Sequence, residues 1–329
     1  MDITGFISTH KKSLLVGFFV LLLVFLATFP LYGGVYQVRV LIAVLTFVIL
    51  AASWAMFSGS TGYMSLAPAA FFGLGIYTMC VLEKELPFLI IIVIGGLAAF
   101  AFALLVGLVT LRLKGMYFAI FTFGLVVFMA ELINYLEVAL RGTHGWHITP
   151  LDKTTLFYTM LILTVVTVLA IYFIRRSRLG LAMNSIGGNE DAAEHMGINT
   201  TRVKVLTFAI SSMFMGAAGV ITAPMLIYVN ANIAFSPYYS FMPILMAVFG
   251  GMGNLYGPII GAVVFAYLER FVRNEFPDYF MIGFGSILVV VILFLPNGLV
   301  GLVPGLRGKL GGVIAKLRKG GQAEPHANT

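Results

Sequence analysis

Nine apolar runs in succession leave this chain of 329 residues few folds to adopt: 14–30, 38–57, 67–82, 87–113, 116–140, 154–174, 205–228, 238–271 and 279–295. A bilayer core about 30 Å thick is crossed by about 20 helical residues. A lipid-exposed backbone must satisfy its own polar groups, so such runs read as helices rather than open strands. Composition closes the soluble alternatives. Hydrophobic residues make up 60% of the chain and charged residues 10%, against about 25% charged in a soluble domain, and the mean hydropathy is +1.02. That is too little charge to coat a cytosolic enzyme, and too much apolar residue for a disordered chain or a nucleic-acid binder. The fold class expected is all-α, a polytopic membrane protein of about 8–10 transmembrane helices, some broken or re-entrant, surrounded by lipid. Cys80 is the single cysteine, so no intrachain disulfide or cysteine-rich metal site can form. The histidines stand apart, with no ligand-like spacing, and no metal site is expected.

The first run follows Lys11 and Lys12, as a signal peptide would. Ala27-Thr28-Phe29-Pro30-Leu31 offers no small-x-small cleavage site, so an uncleaved first span is expected. Two runs are irregular. The 67–82 run is short and follows Gly59-Ser60-Thr61-Gly62. The 238–271 run is interrupted by Gly250-Gly251-Met252-Gly253-Asn254 and by Pro258. A helix pair at that interruption gives ten spans, a re-entrant hairpin nine elements, and either puts both termini on one side. Basic residues accumulate in cytoplasmic loops. With the termini cytoplasmic, only Arg39, Lys84, Arg141, Lys153, Arg270 and Arg273 of the 20 basic residues fall outside. The net charge of +7 is thus loop basicity that sets orientation. The domain division expected is a transmembrane domain 1–306, with a cytoplasmic loop 175–204, and a basic tail 307–329 disordered in its last residues. Gly253, Gly257 and Gly261 recur every four residues, a spacing that lets helices approach closely, and read as helix-packing positions. The Phe-rich stripes read as lipid-facing surface.

The loop 175–204 contains a short helix with clear end signals. Asn189 is a good N-cap, and Glu190 and Asp191 place negative charge at the positive end of the helix dipole. Gly197 suits the left-handed position past the C-terminus, with Ile198 packing back. Ala192, Ala193 and Met196 form an apolar face. A helix this short is unstable alone in water, so it reads as one that docks into a partner.

The run Asn189-Glu190-Asp191-Ala192-Ala193-Glu194-His195-Met196-Gly197-Ile198 resembles the coupling loop of ABC importer permeases, and specifically of the branched-chain amino-acid (LivM-type) permeases. Three stretches are similar to that family: Leu111-Arg112-Leu113-Lys114-Gly115-Met116-Tyr117-Phe118-Ala119, Phe249-Gly250-Gly251-Met252-Gly253-Asn254-Leu255-Tyr256-Gly257-Pro258, and Leu295-Pro296-Asn297-Gly298-Leu299-Val300-Gly301. The stretch from Gly62 to Tyr77 is similar but departs where the family often has Gln for Tyr63 and a polar pair such as Gly-His for Ala67-Pro68. The resemblance implies a permease subunit in a bacterial inner membrane that works with two cytoplasmic ABC ATPase subunits, a second homologous permease and an external solute-binding protein. It implies ATPase coupling through Asn189, Glu190, Ala192, Ala193, Met196 and Gly197. No GxxxxGK[ST] phosphate loop exists, since Val303 stands where Gly308-Lys309 would need its first glycine. ATP and Mg are therefore expected on the partner ATPases, with no cofactor and no enzymatic activity in this chain. The substrates implied are branched-chain or related hydrophobic amino acids, with urea or short amides as the alternative within the family.

A rival of another class is a proton-coupled secondary transporter, because Glu131, Asn134 and Tyr135 share a helical face and buried intramembrane acids mark ion routes. The alternative for that face is that the helix leaves the bilayer near Glu131, as Glu137 and Arg141 suggest. Arg112 and Lys114 read as interfacial anchors. The substrate pathway is expected at the broken element 59–77, where irregular backbone must line a cavity or be shielded by protein. There a half-helix N-terminus would present N–H groups to a carboxylate. Ser60, Thr61, Gly62 and Ser65 would stand beside it, with Phe71 and Phe72 facing the aliphatic side chain.

Overall fold

In the computed structural model, residues 23–275 and 285–286 are described. The apolar runs within them are helices: α1 (Leu23–Tyr32), α2 (Val35–Thr61), α3 (Pro68–Leu82), α4 (Phe88–Thr110), α5 (Met116–Arg141), α6 (Lys153–Arg176), α7 (Arg178–Gly188), α8 (Glu190–His195), α9 (Thr200–Leu226), α10 (Ala231–Ala234), α11 (Tyr238–Gly250) and α12 (Tyr256–Glu275). Two short strands, β1 (Trp146–His147) and β2 (Tyr228–Val229), pair antiparallel. Six helices among the described residues are long and apolar enough to cross a membrane. The run 279–295 apart from residues 285–286, the tail 307–329, the start of the first run and both termini lie outside the described residues.

Helix ends follow local chemistry. Gly62 stops α2 by taking a left-handed φ of 75°, its N–H returning to the Ser58 carbonyl. Pro68 opens α3 at a position where a missing N–H is harmless. Asp152 and Asn199 cap α6 and α9, accepting from Thr155 N–H and Arg202 N–H.

Burial sorts the helices into a centre and a rim. The most apolar windows of α2 and α9 are 89% and 78% buried, whereas those of α4, α5 and α6 are 28–33% buried and face outward. The central contact is made through glycines. A Cβ at Gly75 of α3 would lie 1.9 Å from the Gly216 carbonyl oxygen of α9, and one at Gly219 would lie 2.1 Å from the Phe72 carbonyl oxygen. Lipid tails supply no hydrophobic drive between helices, so close backbone approach and dispersion hold them together.

Two expectations are corrected here. The Phe stripes are not all lipid-facing: Phe57, Phe71, Phe118 and Phe208 are buried and pack ring on ring, with centroids 5.1–6.2 Å apart. Apolar residues point both to lipid and to the core, so hydropathy alone cannot separate the two faces. The glycine packing face is also shifted. Gly253 lies in the exposed turn between α11 and α12 with nothing near its Cβ position, while Gly250, Gly257 and Gly261 make the contact. A Cβ at Gly250 would meet the Gly257 carbonyl at 1.8 Å, and one at Gly261 the Met246 carbonyl at 2.0 Å. The interruption in 238–271 is thus a hairpin of two helices.

The bundle has two unlike ends. One carries α7, α8 and the starts of α5 and α9. The other carries the β1–β2 ribbon, tied to the α3–α4 turn by Thr149 N–H donating to Glu83 Oε1.

Candidate functional site

The α8 end holds a dense polar cluster. Asn189 caps α8, its side chain accepting from Ala192 N–H at 3.0 Å. Beyond the C-terminus Gly197 takes φ 84°, its N–H bonds the Glu194 carbonyl, and Ile198 N–H reaches back to Ala193. These are the paired bonds of a Schellman ending. The expected apolar face divides in two. Ala193 is fully buried against the bundle, whereas Ala192 and Met196 are exposed and point away from it.

What seats α8 is a buried cation. Lys204, in the second turn of α9, is 3% exposed. Its Nζ donates to Glu190 Oε1 at 2.5 Å, to Tyr63 Oη at 3.1 Å and to the Leu111 carbonyl at 3.3 Å. An ammonium has three donors, and all three are used. Tyr63 donates in turn to Glu190 Oε2 at 2.5 Å. Burial works to raise the Glu190 pKa, but hydrogen bonds from Lys204 and Tyr63 and the charges of Lys204 and Lys114 outweigh it, leaving the carboxyl below its usual value. Thr200 adds a hydroxyl bond to Glu194 at 2.6 Å. One cluster therefore joins α8, the start of α9, the end of α4 and the loop after α2.

Sequence reading missed this cluster. Lys204 counted there only as a cytoplasmic charge, and Tyr63 only as a departure from the family. The available signal was a lysine flanked by Val203 and Val205 near the start of an apolar helix, with nothing to name its partners.

Tyr63 begins the break between α2 and α3, residues 62–67. Backbone groups in the break are satisfied by protein. Trp54 Nε1 donates to the Ser65 carbonyl at 2.7 Å, Leu66 N–H donates to Thr122 Oγ1 at 2.9 Å, and Ser240 Oγ donates to the Leu66 carbonyl at 2.9 Å. Ser60, Thr61, Ser65, Phe71 and Phe72 are all buried around it, and Gly62 supplies its left-handed turn. The expectation of free N–H groups at the start of α3 is corrected. Pro68 has none, Ala69 N–H donates to Ser240 Oγ at 3.0 Å, and Ala70 N–H and Phe71 N–H both bond the Ala67 carbonyl.

On α5 the acids exchange importance. Glu131 is exposed, as is Tyr135, and Asn134 bonds the His144 ring at 2.9 Å. Glu137 is the buried acid, accepting from Tyr77 Oη at 2.9 Å and from Gly145 N–H at 3.1 Å. Lys114 instead reaches Asp191 at 3.3 Å across an exposed surface.

A bundle of apolar helices, six of them among the described residues long and apolar enough to cross a membrane, with a broken element inside it and a seated short helix at one end, defines a multi-pass membrane protein. The chain belongs to the family described as branched-chain amino acid transport system / permease component, whose profile matches residues 36–292. It is 27% identical to the high-affinity branched-chain amino acid transport system permease protein LivM of Salmonella typhimurium, over 89% of this chain and 76% of that protein. Identity to LivM of Escherichia coli K12 is 28%, over the same shares. LivH of Escherichia coli K12, also a permease protein of that system by name, is 32% identical over 45% of this chain and 48% of its own length. No solved structure matches the chain.

A local prediction follows from the α8 ending. A side chain at φ 84° is strained in any space, and more so when β-branched. Gly197→Val is expected to raise hydrogen exchange of the α8 amides by about tenfold or more, equivalent to about 1–2 kcal/mol, with the bundle's melting temperature unchanged. Unaltered exchange in α8 would show that Gly197 does not hold the ending.

Proposed function

We propose that the chain is the membrane-spanning subunit of an ATP-driven importer of branched-chain or related hydrophobic amino acids, in a bacterial inner membrane with both termini cytoplasmic. The observation that carries this reading is α8. It is anchored inward by Glu190 and Ala193 while Ala192 and Met196 remain exposed, as a helix that docks into a partner should be. Two cytoplasmic ATPase subunits would bind there and supply ATP and Mg. An external binding protein would deliver the solute. The likeness to both LivM and LivH, two permease proteins of one organism, supports a second, homologous permease as partner.

Force applied to α8 has a direct route to the break. Displacing Glu190 pulls on Tyr63, and Tyr63 adjoins Gly62, Thr61 and Ser60 on one side and Ser65 on the other. In this reading those residues, with Phe71 and Phe72, are the gate of the substrate path, shut here and opened when α8 moves. The domain division follows, with 1–306 as the permease domain, 175–204 as its coupling loop and 307–329 as a tail.

Reconstituted with its ATPases and binding protein, the permease is expected to take up leucine only with ATP, and at an unchanged rate when a proton gradient is collapsed. Uptake driven by a proton gradient without ATPase would establish the secondary carrier instead. ATP-driven uptake of urea or acetamide, but not leucine, would reassign the substrate.

A further inference from the structure

The break between α2 and α3 encloses almost no space. The cavity beside Trp54, Ser65, Pro68 and Phe71 measures about 10 Å³, too small for more than a single water. A far larger cavity, about 720 Å³, opens toward the ribbon end, between α2, the end of α9, α10, α11 and α12. Its walls are of two kinds. On the α2 side Val40, Val44 and Phe47 are buried and apolar. On the α12 side stand Glu269, Arg270 and Arg273, with Asn232 and Ser236 above them.

Among the described residues, the charged side chains of that wall are one carboxylate and two guanidinium groups. Glu269 is 8% exposed, pairs with Arg273 one turn on, and accepts from Tyr238 Oη at 3.3 Å. Arg270 rests over the Tyr36 ring at 5.3 Å and has no carboxylate partner among the described residues. A guanidinium beside apolar walls presents a fork that matches a carboxylate.

We propose that this cavity is a binding site for the zwitterion of an apolar amino acid. Arg270 holds the carboxylate, Asn232 and Ser236 accept from the ammonium, and Val40, Val44 and Phe47 enclose the aliphatic side chain. Glu269 and Arg273 neutralise each other and fix the wall that carries Arg270. The assignment rests on the amino-acid reading above and moves the holding site away from the gate, which has no room for a solute.

The test uses the full chain in nanodiscs. Cys80 is buried, so a Thr222→Cys variant, at a half-buried lining residue that takes no part in holding the zwitterion, carries one accessible thiol in the cavity wall. L-leucine is expected to slow its maleimide labelling, and leucinamide, which lacks the carboxylate, to slow it far less. Adding Arg270→Gln should weaken leucine protection by about tenfold to a hundredfold, the usual loss for a charge-assisted bond, and make the two compounds alike. Arg270→Lys should restore part of the preference. Val44→Trp should weaken protection by occupying the apolar wall that would take the aliphatic side chain.

Equal protection by leucine and leucinamide, or protection unchanged by Arg270→Gln and Val44→Trp, would overturn the site. If the intact importer still takes up leucine in that case, the amino-acid reading stands and the site alone falls. If the intact importer takes up no amino acid, both fall together. Loss of association with a second permease in Arg270→Gln, without loss of leucine protection, would make the cavity a subunit interface and overturn the proposal.

Discussion

Lys204→Met is expected to unseat α8 and to abolish most ATP-driven uptake while the bundle stays folded. The substitution removes all three bonds of a buried ammonium at once and leaves Glu190 charged beside apolar helix ends. Orphaning one member of a buried ion pair costs about 3–5 kcal/mol. The Glu190 side chain keeps 15% of its exposure, which places the loss near the lower figure. About 3 kcal/mol is roughly a hundredfold in the seated population. Hydrogen exchange in α8 should rise accordingly, and ATPase association should weaken. Glu190→Gln should do comparable harm, because the buried cation then lacks its counter-charge. The double variant should be much better than the sum of the two, since neither charge remains stranded. Strict additivity would mean the pair does not act as a unit, and the seating account would fail.

The same cluster has a defined pH dependence. Glu190 is held below the ordinary carboxylate value in the folded chain, so its contribution is complete above about pH 5 and is lost as pH falls through the lowered value. Protection of the α8 amides should therefore be flat from about pH 8 to 5 and fall below about pH 4. In Glu190→Gln the acid limb should vanish. A limb that persists there belongs to another carboxylate.

How much of this was legible in the sequence follows from which interactions are local. The spanning helices, the α2–α3 break and both ends of α8 depend on residues within a few positions of one another, and a glycine or an asparagine at the right offset announces them. The Lys204 cluster joins residues 141 apart along the chain, and nothing in the neighbourhood of Tyr63 or Lys204 points to the other. The misplaced Phe stripes have a different cause. In water a helix shows its buried face by contrast with a polar one, but α2 and α9 are apolar all round, and lipid removes the contrast. Gly253 misled through periodicity alone. The four-residue spacing is real, but the chain turns at 251–255, so only Gly257 and Gly261 lie on α12.

Gly75→Ala is expected to be the most damaging single methyl group that can be added to the bundle's centre. Its Cβ would lie 1.9 Å from the Gly216 carbonyl oxygen and 2.7 Å from the carbonyl carbon. Both contacts are with backbone, so no rotamer change relieves them. Nor can α9 simply retreat, because Gly216 is itself pressed against α4, where its own Cβ position is 2.5 Å from Ala99 Cβ and 2.7 Å from the Gly95 carbonyl oxygen. Three helices meet on three glycines, and separating one pair by the ångström or more that a methyl needs breaks close contact along all of them. Overpacking a core costs about 1–3 kcal/mol, and the upper end applies where the obstacle is backbone. Gly124 in α5 provides the contrast, since its Cβ position meets nothing within 4 Å. Ala favours a helix over Gly by about 0.5–1 kcal/mol, so Gly124→Ala should be neutral or slightly stabilising. Thermal melts of the two variants in one detergent should diverge, with Gly75→Ala several degrees below the parent chain and Gly124→Ala at or above it. Coincident melts would mean that α3 and α9 do not meet as closely as their backbones imply, and that the buried centre of the bundle is held by something other than glycine contact.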